Sequence, residues 1–455
     1  MTMPRLAIVL SCLAALAGEA ATPLPPPQAT LVIRNARIFD GSNPNLLTGR
    51  DLLIDAGKII ALQPAGALPA GSETTVIDAG GRVLVPGLID AHVHPAQPIP
   101  RAQLRDSDPS YVTLRAAEEL RRMLMRGFTT IRDMGGPSFG LKQAIDEGLI
   151  PGPRIFPSGA IISQTGGHGD MRERIATPAV ALGGPADPLQ LLGYSLIVDG
   201  PAQVAAAVRE QLRLGATQIK LTAGGGISSQ YDPLDSVQFS AAELEAAVQS
   251  AGDWGTYVAV HAYTPAAIRR AVQAGVRCIE HGHLIDEPTM RLLAERGVFL
   301  SPQAYLFSGA FAPPRRGSGP PSAAQLAQRA KSQQVSAGLD TMMQLAKRYK
   351  VRIAFGTDVF GAASVYELQS HEFAARSRWF TPVEILHQAT ASNGELLDWS
   401  GQRNPYGKLG VIEVGALADL LIVDGEPLED IAVFDDPERS LRVIIKNGAI
   451  VKNTL

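Results

Sequence analysis

At 455 residues, with 45% apolar and 19% charged side chains, the chain can bury a large core, one main domain with an accessory piece, and is unlike a disordered polymer. A formal net charge of −3, with no run of Lys or Arg, excludes a general nucleic-acid binder, because nothing offers a stripe that tracks phosphates.

Residues 1–20 read as an export signal. Arg5 supplies the positive end, and "LAIVLSCLAALA" is apolar but too short to span a bilayer. Gly18 and Ala20 offer small residues to a signal peptidase, predicting cleavage after Ala20, with Ala21 as the alternative, and a periplasmic or secreted location. Cys12 in "VLSC" carries the competing lipoprotein reading. After cleavage only Cys278 is left, so no internal disulfide is available and the exported chain relies on its core. Between Arg277 and Ile279 that thiol reads as a small buried hydrophobe. Residues 21–29, "ATPLPPPQA", form a proline-rich linker. No later segment reads as membrane-spanning.

From residue 30 to 85 short β-rich runs alternate with turn residues: "TLVIRNARIFD", "DLLIDAGKIIAL", "TTVIDAGGRVLVP". The same texture returns in residues 405–455 as "ADLLIVDG" and "SLRVIIKNGAIVKN", predicting one small β-sandwich assembled from both termini. Between them, residues 86–404 alternate strand-like and helical runs. The strands are "GLIDAHVH", "FTTIRDMG", "RIFPSGAIIS", "TQIKLTAG", "TYVAVHAY", "VRCIEHGH", "VFLSPQA" and "RIAFGTDV". Helical stretches such as "YVTLRAAEELRRMLMRG" and "PAAIRRAVQAG" separate them. Eight such units predict an α/β fold of the (β/α)8 TIM-barrel type rather than an open doubly wound sheet, and no GxGxxG turn with a downstream acid appears.

A TIM barrel places active residues at the C-terminal ends of its strands. His92 and His94 end the first strand, Lys220 lies in the fourth, His261 ends the fifth, His281 and His283 the sixth, and Asp358 the eighth. Singly, each has a bland reading. A His-x-His pair arises by chance, His261 could be a satisfied core histidine, Lys220 could pair with a carboxylate, and Asp358 could cap the following helix. Jointly, on successive strand ends, they point to a metal site, because strand alternation sets His92 and His94 on one face and polar groups inside a barrel are costly unless paired or coordinated.

The set "PGLIDAHVHP", "GFTTIRDMGG", "IKLTAGGG", "VHAYTPAAI", "CIEHGH" and "FGTD" resembles the amidohydrolase superfamily over nearly the whole mature chain. "TGGHGD", "GGGISSQYDPLDSVQFS" and "ATASNGELL" are most similar to its branch of prolidase-like Xaa-Pro dipeptidases and ochratoxin-hydrolysing amidases. The resemblance implies a binuclear centre of two divalent ions, usually Zn2+. His92, His94 and Asp358 would hold the buried ion and His261 and His281 the other, with Lys220, as N6-carboxylysine, bridging them. His283 is the rival of His281. It further implies attack by a metal-bridging hydroxide, with Asp358 as base and then acid. His168, in a glycine-flanked loop after the third strand, and Tyr231, after the fourth, are the implied substrate-binding groups; their bland readings are a loop histidine and a packing aromatic. Tyr263 stands where relatives often carry a second histidine, which clouds transfer of substrate preference. The implied substrates are amides of a C-terminal amino acid: N-acyl amino acids, Xaa-Pro dipeptides, or ochratoxin A, split to ochratoxin alpha and phenylalanine. The alternatives are a lactonase, cyclic amidase or phosphotriesterase, and, more remotely, a non-catalytic binding protein. A tetramer or octamer is the implied homo-oligomer. Residues 305–325 read as a solvated loop, with a lid in which Arg315 and Arg316 attract an anion as the alternative. His371 and Glu372 read as a surface helix or a pocket rim, and His387 as structural.

Overall fold

The computed structural model describes residues 30–67, 74–176, 180–307 and 320–455. The expected signal peptide, Cys12, the linker, Arg315 and Arg316 lie outside the described residues.

Two sheets form the small β domain. In the first, Lys58–Pro64, Arg50–Asp55, Leu31–Arg34 and Thr75–Asp78 lie side by side. The second joins chain ends, in the order Ala449–Asn453, Leu441–Lys446, Leu420–Val423, Val83–Pro86 and Arg37–Ile38. Strand alternation divides the apolar residues of this second sheet between two cores. Leu84, Leu420, Ile422 and Val443 face the first sheet with Leu31, Ile33 and Ile54, whereas Val83, Val85, Leu421 and Val423 join the barrel's core. A sheet covered on both faces explains near-continuous apolar runs such as "LLIV".

The barrel strands are β1 (Leu88–Val93), β2 (Phe128–Asp133), β3 (Arg154–Pro157 with Ile161–Ser163), β4 (Ile219–Thr222), β5 (Val258–Ala262), β6 (Cys278–His281), β7 (Phe299–Ser301) and β8 (Arg352–Ile353). Neighbours pair in parallel. The protein is therefore an α/β TIM barrel carrying a small β domain.

Two departures from the sequence expectation shape the mouth. The run "RIFPSGAIIS" is not one strand: Gly159 takes φ +71°, and the Gln211 side chain enters the gap to accept the Ala160 N–H at 2.9 Å. Gln218 stitches that break, donating to the Asp133 carbonyl at 3.2 Å and the Phe156 carbonyl at 2.9 Å. An additional strand, Ser195–Ile197, pairs beside Ile161–Ser163. β8 is also cut short. Gly356 passes so close to β1 that a Cβ there would lie 2.8 Å from His92 Cβ, and the Thr357 and Asp358 amides both turn to the His92 carbonyl.

"ATASNGELL" has a mechanical role at this seam. Asn393 donates to the Ile89 and Phe355 carbonyls at 2.7 and 2.8 Å and accepts the Phe355 N–H at 3.0 Å, tying β1 to β8. The helical segment leading to it carries one π turn, Gln388–Ser392, of the kind that re-aims a side chain at functional sites. Among the described residues no helix is long and apolar enough to cross a membrane.

Candidate metal centre

Four side chains meet at the C-terminal mouth. Asp358 Oδ1 lies 3.4 Å from His92 Nε2 and 3.1 Å from His94 Nε2. Ligand atoms of His92, His281 and Asp358 all lie within 4.8 Å of one another. His92 and His94 point together because residues i and i+2 of β1 share a face. His281 and Asp358 are both non-glycine residues at positive φ, +77° and +55°. Such conformations cost of order 1–3 kcal/mol each, and are retained where the surroundings impose them to aim a side chain.

The chemistry of the donor set fits a cation. His92 Nδ1 donates to Glu280 Oε2 at 2.7 Å, His94 Nδ1 to the Gly135 carbonyl at 3.1 Å, and His281 Nδ1 to Gln303 Oε1 at 2.6 Å. Gln303 is itself oriented by donating to the Ser301 carbonyl at 2.8 Å. These three partners are acceptors, and although the Gln303 amide nitrogen also lies 3.3 Å from His92 Nδ1, they favour the tautomer that turns an Nε2 lone pair toward the cluster, the arrangement metal-binding imidazoles use. Burial holds His92 down at about 4 and His281 well below the usual range, so these rings are neutral donors. Burial alone would push Asp358 up, but His92, His94 and Lys220 outweigh it and hold its carboxyl below the ordinary value. Nitrogen and oxygen donors without thiolate suit zinc and comparable divalent ions.

Behind His92 lies a fully buried charge network. Arg132 Nη2 donates to Glu280 Oε1 at 2.7 Å, its Nε to the Ala91 carbonyl at 2.6 Å, and its Nη1 to the Tyr257 hydroxyl at 3.1 Å. Burial raises Glu280, yet Arg132 first and His92 second keep it ionised and far below a normal glutamate. Cys278, as expected, is buried; its thiol donates to Glu280 Oε1 at 3.1 Å.

Lys220 is buried in β4, and burial lowers its pKa, with the carboxylates of Glu280 and Asp358 opposing. His261 has the other tautomer: its Nε2 donates to the Gly225 carbonyl at 3.2 Å, while its ring stands edge-on to His281 at 4.4 Å and stacks on His168 at 4.1 Å. His168 thus reaches the mouth; its Nδ1 meets Ser229 Oγ at 2.6 Å and Asp232 Oδ2 at 3.3 Å. His283 lies outside the cluster. Its Nε2 donates to the Gln303 carbonyl at 3.2 Å, and Phe307 packs edge-on at 4.5 Å. Tyr263 is buried among His261, His281 and His283, with its ring 5.0 Å from each of the first two. Tyr231 is 41% exposed and is not drawn to the histidines; its hydroxyl accepts the Arg174 N–H at 3.2 Å beside a cavity of about 230 Å³.

Glu372 corrects the expectation of a surface helix or pocket rim. It is buried, accepts the Ala304 and Tyr305 amides at 2.8–3.0 Å, and pairs with Arg376 at 2.7 Å, clamping the chain after β7. His387 is structural: its Nδ1 donates to the Gly41 carbonyl at 2.9 Å. Glu280, Arg132 and Gln303 were missed as site residues. The available signal was a charge at the centre of an apolar strand, in "CIEH" and "TTIRD", which demands a buried partner.

The amidohydrolase family pattern matches residues 83–451. The chain belongs to the amidohydrolase family. It is 33% identical over 380 residues to ochratoxinase of Aspergillus niger, covering 81% of this chain and 76% of that protein. A crystal structure of an amidohydrolase superposes with TM-score 0.85 at 38% identity, over 94% of this chain and all of the other. A prolidase complexed with N-methylphosphonate-L-proline superposes with TM-score 0.84 at 35% identity, over 93% of this chain and all of the other. This amidohydrolase is accordingly a hydrolase of amide or peptide bonds, in the branch shared by prolidases and ochratoxinase.

Proposed function

We propose that the enzyme cleaves the amide joining an acyl group to a C-terminal amino acid, with N-acyl amino acids, Xaa-Pro dipeptides and ochratoxin A as candidate substrates. One observation carries the metal-dependent reading: His92, His94 and His281 each have Nδ1 held by an acceptor, and the Nε2 atoms of His92 and His94 converge on Asp358 Oδ1. The likeness to a prolidase and to ochratoxinase supports the bond class.

In this reading His92, His94 and Asp358 hold one divalent cation, and His261 and His281 a second. Lys220, whose burial favours the neutral amine that adds carbon dioxide, would serve as an anionic ligand once carboxylated. When bound, the cations, zinc by donor type, supply a Lewis acid for the scissile carbonyl and activate a water as nucleophile. The chain's own contribution is proton handling and placement. Asp358, whose Oδ1 lies against the Nε2 atoms of His92 and His94, would take a proton from the nucleophile and return it to the leaving nitrogen. Glu280 and Gln303 hold the rings of His92 and His281, and His168 lies beside His261 to meet the substrate's carbonyl or carboxylate.

Two measurements test this. Metal analysis of the folded protein should find close to two ions per chain, and a correctly folded, active, metal-free protein would remove the reading. A panel of N-acyl amino acids, Xaa-Pro dipeptides, ochratoxin A, lactones, cyclic amides and phosphotriesters should show turnover concentrated in the first three. Turnover of lactones or phosphotriesters alone would end the amidase assignment.

A further inference from the structure

Just beyond β1 the chain forms a short helix, Arg101–Leu104, with an arginine at its start and another, Arg105, at its end. The two are treated differently by the fold. Arg105 is fully engaged, its Nη1 donating to Asp187 Oδ2 at 2.7 Å and its Nη2 to the Met171 carbonyl at 2.5 Å. Arg101 has no hydrogen bond and no ion pair among the described residues, and its Nε is shielded from solvent with no partner. Asp358 and Asp232 are the acidic groups whose field reaches it, and neither lies within ion-pair distance.

Its position relative to the metal ligands is defined by a shared wall. The Phe360 ring packs edge-on to His94 at 5.7 Å and lies 6.0 Å from the Arg101 guanidinium carbon. The segment leading to Arg101 is pinned to the chain after β8: Gly361 N–H donates to the Gln97 carbonyl at 2.7 Å, and Tyr366 OH to the His94 carbonyl at 2.7 Å. Leu104 is anchored among Ala96, Ile99, Val112, Leu189 and Tyr194. The guanidinium is thus held one aromatic ring away from the candidate metal centre by fixed backbone. Burial lowers Arg101 to about 10, which leaves it cationic at neutral pH. Arg101 is half-buried, with its Nε shielded and unmet, and the donors of its guanidinium form a fork that matches a planar carboxylate.

We propose that Arg101 is the receptor for the free carboxylate of the substrate's leaving amino acid, so that the enzyme selects amides whose amine portion ends in a carboxylate. The proposal rests on the amidase reading above and adds the residue that sets its specificity. Cation–π contact with Phe360 holds the fork in place before substrate arrives. The incoming carboxylate supplies the acceptors that the fold withholds.

The test compares the metal-loaded wild-type enzyme with Arg101→Gln and Arg101→Lys. Calorimetry with L-proline and L-phenylalanine, against L-prolinamide and L-phenylalaninamide, should show the wild type binding the acids at least about tenfold more tightly, as one charged hydrogen-bonded contact provides. Arg101→Gln should abolish that preference and Arg101→Lys retain part of it, with metal content unchanged. In turnover, the ratio of kcat/KM for N-acetyl-L-proline over its carboxamide should collapse in Arg101→Gln, mainly through KM. An acid-over-amide preference that survives in Arg101→Gln would overturn the inference, because the carboxylate would then be bound by the metals or another group. If the preference vanishes but wild type hydrolyses no acyl amino acid, the amidase reading falls and the carboxylate site stands.

Discussion

At the end of the barrel that faces the β domain, Arg154 pairs with Asp419 and donates to Asn447 Oδ1 at 3.2 Å, while Asp419 also accepts the Asn447 N–H at 2.7 Å and Tyr406 packs against the guanidinium. At the opposite end, Arg101 Nε and His283 Nδ1 are shielded from solvent without a hydrogen-bond partner among the described residues, and His281 and Asp358 hold strained backbone. Both ends bury charge. Around Arg154 the ion pair is closed by groups of the chain itself, although Thr129 Oγ1 nearby is unmet; around the mouth a guanidinium nitrogen and an imidazole nitrogen are left open. A buried polar group left unmet costs about 1–3 kcal/mol, so the open end is tolerated only where something from outside completes it.

Breaking the open end should stop chemistry and spare the fold. Asp358→Asn keeps the shape and removes the proton acceptor, so kcat/KM should fall by about 10²–10⁴-fold with an unchanged circular dichroism spectrum. Breaking the closed end should do the reverse. Asp419→Ala strands Arg154, buried to 4% side-chain exposure, and should cost about 3–5 kcal/mol in denaturant unfolding while kcat/KM at low temperature holds. Equal effects of both substitutions on turnover and stability would dissolve the contrast between the ends.

Glu280→Gln sits between these cases, because Glu280 both neutralises Arg132 and orients His92. Metal affinity, measured by competition with a chelator, should weaken about 10–100-fold. The smallest effect is expected at Lys446, whose Nζ donates to the Gly152 carbonyl at 2.6 Å at the closed end. Burial lowers it from 10.5 to about 8. Between pH 8 and 10.5 the unfolded chain keeps a proton that the folded chain releases, so wild-type stability rises across that window. Lys446→Met should be more stable by about 1 kcal/mol below pH 8, after loss of the Gly152 bond offsets part of the gain, and the advantage should fade toward pH 10.5.

The cluster of His92, His94, His281 and Asp358 was legible in sequence because barrel strands end at the mouth, and strand ends are marked by apolar runs that stop at a polar residue. "HVH", "VHA", "EHG" and "FGTD" carry that mark, and the order of the strands does the rest. What sat within a strand was hidden. Glu280 and Arg132 lie on β6 and β2, and only closure of the barrel brings them to 2.7 Å. Glu372 follows β8 in the chain but clamps the chain after β7, a contact that no periodicity encodes. Arg101 looked like any polar residue opening a short helix; it differs from Arg105 only in what the fold fails to set beside it.

The α/β barrel, its small β domain drawn from both chain ends and the run of histidines, lysine and aspartate along the strands follow from local patterning, since strand and helix periods and strand-end polarity are short-range properties. Tautomers, positive φ at His281 and Asp358, the break at Gly159 and the isolation of Arg101 were decided by tertiary structure. Each depends on which backbone or side chain from a distant strand arrives within hydrogen-bonding range, and that distance is set only when the barrel closes.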